Sequence, residues 1–137
     1  MNTDMDLKGR TILIVDDNAT NLGVIADYLE AFDVCILTAT DGKDALETAQ
    51  AARPDLILLD VMMPGMDGFE VCQRLKADAP TADIPIIFMT ALAQAEARLE
   101  GFQAGAVDYI TKPIRQEDVL ACIHKHLTVR RHVMVMD

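Results

Sequence analysis

The sequence lacks any arrangement of cysteines that would form a metal site or a disulfide framework. Its three cysteines, Cys35, Cys72 and Cys122, are odd in number, widely spaced and set among apolar residues, and neither a CxxC pair nor a Cys/His zinc spacing occurs. We therefore expect three reduced cysteines that fill the core. His124 and His126 lie near the end of the last predicted helix, where a surface or helix-end role is favoured over metal binding.

Basic residues and long apolar runs are also scarce. Only 12 lysines and arginines oppose 22 aspartates and glutamates, and the resulting net charge of −10 argues against direct binding to nucleic acid. The longest apolar runs are about as long as a strand, and residues 1–8 lack the basic start and apolar stretch of a secretory signal. We therefore expect a cytoplasmic protein that has no membrane partner.

What is present is the pattern of one packed α/β domain. The chain has 137 residues, 51% of them hydrophobic, and no low-complexity tract. Segments with helical period alternate with nearly continuous apolar runs, which are typical of strands covered on both faces. The runs are residues 11–15, 34–39, 56–59, 86–89 and 107–110. Such alternation predicts a doubly wound parallel sheet with right-handed crossovers and helices on both faces.

Polar side chains follow four of these apolar runs. Asp16 and Asp17 follow the first, Asp60 the third, Thr90 the fourth and Lys112 the fifth. The carboxyl ends of parallel strands meet at one edge, where open α/β sheets bind ligands. Three acids at that edge require compensation, which Mg²⁺ would supply because it prefers carboxylate and phosphate oxygens. The set predicts a phosphoryl site in which one carboxylate, best Asp60, is the nucleophile.

Blocks of sequence in this order resemble the receiver domain of two-component response regulators. They are ILIVDDN (12–18), DLILLDVMMPGMDGFE (55–70), IIFMTA (86–91) and DYITKP (108–113). The resemblance implies a single doubly wound (βα)5 flavodoxin-like domain over residues 10–128, with a five-stranded parallel sheet in the order 2-1-3-4-5. Residues 1–9 would form a polar extension, and residues 129–137 a tail that either prolongs the last helix or frays.

The resemblance also implies a role for each acid. Asp60 would accept a phosphoryl group from a histidine kinase or a histidine phosphotransfer protein. Mg²⁺, or Mn²⁺ in its place, would be ligated by Asp17, Asp60 and the backbone carbonyl of Met62, whereas Asp16 would act mostly through a metal-bound water.

The remaining site residues would form the switch. Thr90 would bind a phosphoryl oxygen, Tyr109 would swing inward behind it, and Lys112 would pair with the phosphoryl oxygens and Asp60, while Pro113 would follow a cis peptide bond. The added charge of about −1.5 to −2 would draw in Thr90 and Lys112. The fourth helix, fifth strand and fifth helix would then form the output face for a downstream protein or an attached output domain.

Two further sets of residues follow from the resemblance. Met62 and Leu92 flank the entry to the site with apolar groups, and we predict that they exclude attacking water and slow the loss of the phosphoryl group. In the family that the chain resembles, the first helix and the loop beside it determine which kinase is recognised. The candidates for partner recognition are therefore Asn21, Leu22, Val24, Ile25 and Tyr28.

Simpler interpretations exist for single residues. Asp16 and Asp17 are also compatible with a helix amino cap, alongside Thr20 or Asn21. Tyr109 is compatible with a plain core residue, since packing and switching require the same apolar surroundings.

Two alternative functions use some of the same residue types. A phosphatase of the haloacid dehalogenase type is disfavoured, because that family needs a second acid two residues after the nucleophile and Met62 stands there. A degenerate receiver that serves as a constitutive interaction module is the remaining alternative. The run at residues 126–131 resembles the point where receivers continue into a signalling helix, which favours an excised or amino-terminal receiver. A homodimer through the last helices is left open.

Overall fold

Five parallel strands form one sheet at the centre of the protein. The structure, a computed structural model, describes residues 7–91 and 102–136, with side chains up to residue 127. The strands are β1 (Thr11–Val15), β2 (Cys35–Ala39), β3 (Leu56–Asp60), β4 (Ile86–Thr90) and β5 (Asp108–Thr111). Their order is β2-β1-β3-β4-β5, with every neighbouring pair parallel, which confirms the predicted fold.

Helices connect the strands and cover both faces of the sheet. They are α1 (Ala19–Leu29), α2 (Gly42–Ala52), α3 (Gly68–Ala77) and a C-terminal helix (Gln116–Met136), with a short 3-10 turn at Glu30–Phe32. Residues 102–104 are also helical, whereas the rest of the predicted fourth helix lies outside the described residues. The side chain that caps α1 is Asn18, which accepts a hydrogen bond from the Asn21 N–H, so the alternative interpretation of Asp16 and Asp17 as a helix cap, alongside Thr20 or Asn21, does not apply.

The core consists of two layers, because successive strand residues point to opposite faces. Leu13 and Val15 of β1 pack with α2 and α3, whereas Ile12 and Ile14 pack with α1 and the C-terminal helix. Every residue of β3 and β4 is buried. The prediction that all five strands are covered on both faces was wrong for β2 and β5, which lie at the sheet edges and are only partly buried.

The position of β2 at an edge also corrects the prediction for the cysteines. Cys72 is buried and Cys122 is half-buried, but Cys35 is exposed at the start of β2. Burial raises the pKa of the Cys72 thiol to about 11, so this thiol is neutral at physiological pH. Within residues 7–91 and 102–136, none of the helices pairs the length with the apolar character that a bilayer crossing demands.

The carboxylate of Asp108, at the start of β5, forms hydrogen bonds with side chains of the C-terminal helix. Its Oδ2 lies 2.9 Å from His126 Nε2 and 3.7 Å from the Cys122 thiol, and its Oδ1 accepts the Tyr109 backbone N–H. The helix continues to Met136, so His126 lies ten residues before its end rather than near it. The predicted helix-end role of His126 was therefore wrong, since its ring packs against β5 instead.

We expect Asp108→Asn to lower the free energy of unfolding by about 1.5–3 kcal/mol at neutral pH, the range for a hydrogen bond to a charged group. Burial opposes ionisation of Asp108, but the hydrogen bonds from His126 and Tyr109 outweigh it and lower the pKa of this carboxyl. A lowered pKa stabilises the fold above the usual carboxyl pKa, and this stabilisation is lost as the pH falls. Urea unfolding from pH 7 to pH 3 measures it, and a constant difference between the two proteins would contradict the prediction.

Candidate functional site

Three carboxylates meet at the carboxyl edge of the sheet. Asp16 directly follows β1, Asp17 comes next, and Asp60 is the last residue of the central strand β3. One oxygen from each carboxylate lies within 4.8 Å of the other two. Asp16 and Asp60 are buried, with 1% and 2% of their surface exposed, whereas Asp17 is exposed. Parallel pairing of β1 with β3 brings the acids together, as the sequence predicted.

Both carboxylate oxygens of Asp16 are hydrogen-bonded. Oδ1 accepts the backbone N–H of Asn18 at 2.9 Å, and Oδ2 accepts the side-chain amide of Asn21 at 3.3 Å. The Asp16 backbone N–H donates to the Ala39 carbonyl at the end of β2. Asp16 is therefore held at the base of the cluster by its own strand and by the first turn of α1.

Asp60 is the carboxylate of the cluster that forms an ion pair with Lys112. Its Oδ1 accepts hydrogen bonds from Lys112 Nζ at 3.0 Å and from the Met62 backbone N–H at 3.2 Å. Burial raises the pKa of the Asp60 carboxyl, and the Asp16 carboxylate raises it further, although Lys112 and the Met62 N–H act in the opposite direction. The charged form of Asp60 is thus only partly compensated by the side chains around it, which is the electrostatic condition that favours a bound cation.

Thr90 and Lys112 reach the same edge from β4 and β5. Thr90, the last residue of β4, is 4% exposed, and its carbonyl accepts the Lys112 backbone N–H at 2.8 Å. The Lys112–Pro113 peptide bond is cis. Tyr109 is half-buried in β5 and forms an edge-to-face contact with Phe102, with ring centroids 6.4 Å apart. Thr90 and Lys112 thus lie at the edge of the sheet where the acids meet, with Lys112 in contact with Asp60 and Tyr109 two residues before the end of β5.

The loop after β3 approaches the helix that follows it very closely. Met62 in this loop is 62% exposed beside Asp60, and Leu92, its predicted counterpart, lies outside the described residues. Gly68 begins α3, and its N–H donates to the Val61 carbonyl at 2.9 Å. A Cβ at Gly68 would overlap the Asp60 carbonyl oxygen and lie 2.8 Å from Val61 Cα. Sequence reasoning missed this contact.

The residues predicted to recognise a partner divide into two groups. Leu22 and Ile25 are 7% and 1% exposed in the core beneath α1, and their recognition of a partner stays a prediction. Val24 is 40% exposed and Asn21 half-exposed, while the half-buried Tyr28 donates its hydroxyl to the Ile114 carbonyl.

A groove of about 180 Å³ runs beside Lys112. It is smaller than the roughly 300–1,000 Å³ of a typical small-molecule site. Its lining residues are Asn21, Val24, Ile25, Lys112, Pro113 and Ile114.

Comparison with known proteins agrees with this geometry. A family model described as the response regulator receiver domain matches residues 12–124. The chain belongs to the response regulator receiver family. The response regulator PleD of Caulobacter vibrioides is 48% identical to this receiver over 109 residues, which cover 80% of this chain and 24% of PleD. The DNA-binding transcriptional regulator RpaA of Synechocystis is 44% identical over 110 residues, which cover 80% of this chain and 46% of RpaA. The receiver thus spans less than half the length of both relatives.

One of the similar solved structures contains a magnesium ion. The receiver domain of a sensor histidine kinase from Pseudomonas aeruginosa, which has a magnesium ion coordinated in its active-site cleft, is 31% identical to this receiver. The alignment covers 88% of this chain and 98% of that one, with a TM-score of 0.81.

Proposed function

We propose that this receiver accepts a phosphoryl group on Asp60 from a phosphohistidine of a histidine kinase or a histidine phosphotransfer protein. The observation that carries the proposal is the placement of Asp60. It is buried at the end of the central strand, within 4.8 Å of two further carboxylates and in direct contact with Lys112. If Asp60 had only a structural role, the placement of two further carboxylates, Asp16 and Asp17, beside it would be unexplained.

The acidic cluster fits Mg²⁺. Carboxylate and carbonyl oxygens are the ligands that Mg²⁺ prefers, and it commonly takes one or two carboxylates, several waters and phosphate oxygens. Asp17 and Asp60, with the Met62 carbonyl, would hold the ion, and Asp16 would act through a metal-bound water. Mn²⁺ suits the same oxygen donors. When bound, the cation neutralises charge on the acids and on the incoming phosphoryl oxygens.

The reaction is a transfer between two nucleophiles. A carboxylate oxygen of Asp60 attacks phosphorus, a P–O bond forms, and the P–N bond to the donor imidazole breaks; the leaving imidazole takes up a proton from solvent. Lys112, already 3.0 Å from Asp60 Oδ1, would move onto a phosphoryl oxygen, and the Thr90 hydroxyl would bind a second one. The chain thus assists its own phosphorylation but acts as a switch rather than as an enzyme that turns over a substrate.

The switch would act through the edge of the sheet at β5. The new negative charge would draw Thr90 and Lys112 inward, and Tyr109 would follow from the same strand. The downstream protein, or an output domain of the same protein, would bind the face formed by β5 and its neighbouring helices. A homodimer through that face is a further outcome, which a mass measurement with and without a phosphoryl mimic would detect.

Intact-protein mass spectrometry after incubation with acetyl phosphate tests the proposal. We expect one added phosphoryl mass in Mg²⁺ and none in EDTA. A degenerate receiver acting as a constitutive interaction module would gain no mass under either condition, and a phosphatase would release phosphate continuously from added phosphomonoesters. Absence of labelling by acetyl phosphate and by a phosphorylated histidine phosphotransfer domain would refute the proposal.

Met62 is expected to set the lifetime of the phosphorylated state. Its exposed side chain lies at the entry to the site, while its backbone N–H binds Asp60. We predict that Met62→Asn shortens the half-life of the aspartyl phosphate severalfold, because an amide would guide water toward phosphorus where the apolar side chain excludes it. Met62→Leu is the matched apolar control and should keep the native half-life. Equal decay rates of the two variants, followed by mass, would show that Met62 has no such role.

A further inference from the structure

Asp16 is oriented by one backbone N–H and, among the residues that the structure describes, by the side chain of Asn21. Its Oδ1 is bound by a backbone N–H, that of Asn18, which any residue would supply. Its Oδ2 is bound by the side-chain amide of Asn21, at 3.3 Å. Asn21 is therefore the side chain whose removal would leave the second oxygen of this 1% exposed acid without that partner.

Asn21 is itself rigidly placed. It lies in the first turn of α1, and its backbone N–H donates to the capping side chain of Asn18 at 3.1 Å. The amide thus reaches Asp16 from a fixed helical turn rather than from a mobile loop. Its neutrality is relevant too, because a lysine or arginine here would neutralise Asp16 and compete with a metal ion, whereas an amide N–H orients the carboxylate and leaves its charge available.

We infer that Asn21 is a positioning residue for the metal site, holding Asp16 toward Asp17 and Asp60. The inference rests on the proposed function, since it concerns the acids that would bind Mg²⁺. Without the amide, repulsion from the two neighbouring carboxylates would favour rotation of Asp16 away from them. The role differs from partner recognition, which the sequence predicted for Asn21, because it acts when no partner is present.

The test compares variants in the absence of any partner. Asn21→Leu keeps the branched shape but removes the donor, Asn21→Gln retains an amide, and Gly23→Ala changes an exposed residue of the same helix whose added Cβ would meet no atom within 4 Å. The Mg²⁺ dissociation constant is measured by calorimetry, and the rate of acetyl phosphate labelling is measured against Mg²⁺ concentration. Loss of a group that orients a metal ligand commonly weakens affinity by about 10-fold or more.

We expect that weakening in Asn21→Leu, partial recovery in Asn21→Gln and native affinity in Gly23→Ala. The labelling rate of Asn21→Leu should return to the native value at saturating Mg²⁺. Native Mg²⁺ affinity in Asn21→Leu, or an equal loss in Gly23→Ala, would overturn the inference while leaving the proposed function intact. A native chain that binds no Mg²⁺ would refute both. If Asn21→Leu melts below the native chain in metal-free buffer, Asn21→Ala repeats the comparison.

Discussion

Replacing Asp60 with asparagine is expected to abolish the addition of phosphoryl mass completely. The amide oxygen is a far weaker nucleophile than a carboxylate, and the loss of charge removes one of the three acids that would hold the metal. The side chain is nearly isosteric, so the hydrogen bonds that Asp60 accepts from Lys112 and the Met62 N–H can persist. The loss of labelling would then reflect chemistry rather than unfolding. Intact mass after treatment with acetyl phosphate and Mg²⁺ measures it.

Asp27→Asn is the matched control for this substitution. Asp27 is exposed on α1 and outside the carboxylate cluster, so the variant has the same change in net charge and a complete site. It should be labelled at the native rate. Labelling of the Asp60→Asn chain, with peptide mapping to another carboxylate, would show that Asp60 is not the acceptor.

Asp60→Asn is also expected to change the stability of the folded chain. The pKa of Asp60 is raised in the folded chain, so the folded chain holds this proton more tightly than the unfolded chain. The free energy of unfolding therefore decreases as the pH rises through the folded-state pKa. In metal-free buffer at neutral pH, Asp60→Asn should melt at a higher temperature than the native chain, and acidification below the usual carboxyl pKa should close the gap.

Adding Mg²⁺ should reverse that order of stability. At 100 times its dissociation constant, a ligand that binds only the folded state contributes about 2.7 kcal/mol. The native chain would gain this stabilisation, whereas the variant, lacking one acid, would gain less. Equal melting temperatures in metal-free buffer would indicate that Lys112 and the Met62 N–H fully compensate the buried charge.

Most of the fold was predictable from the sequence, because strands buried on both faces require nearly unbroken apolar runs. The central strands β1, β3 and β4 followed this rule. The edge strands did not, since each lacks a neighbour on one side. Cys35 looks like a core residue in the sequence, yet it is exposed because β2 is an edge strand, and sheet order is not visible in local hydrophobicity. The continuation of the C-terminal helix to Met136 was likewise undecided in the sequence.

The convergence of the site residues was also predictable, since each follows or ends a strand of a parallel sheet. The missed features depend on contacts between elements far apart in sequence or on the exact direction of a helical turn. His126 meets Asp108 across 18 positions, and Asn21 reaches back to Asp16 only because Asn18 starts α1 at that point. The sequence alone does not show that Gly68 must be a glycine. Its backbone dihedrals would allow any residue, and a glycine is required only because the backbone of β3 and of the loop after it lies so close.

Gly68→Ala is therefore expected to cause a large loss of stability. The added Cβ would lie 2.8 Å from Val61 Cα and overlap the Asp60 carbonyl oxygen, and both neighbours are backbone atoms that cannot rotate away. Relief requires a shift of α3 or of the end of β3. Overpacking of this kind typically costs about 1–3 kcal/mol, and contact with backbone places the expected loss at the upper end of that range or above it. Urea unfolding measures the change.

Gly23→Ala is the control, because Gly23 lies within α1 and a Cβ there would meet no atom within 4 Å. It should stabilise the chain by about 0.5–1 kcal/mol, since alanine is the better helix former. The opposite signs of the two glycine substitutions separate close packing from helix propensity.

Because the Gly68 clash falls on Asp60 itself, Gly68→Ala should also slow labelling by acetyl phosphate. A variant that loses stability but labels at the native rate would show that α3 moves and the phosphoacceptor does not.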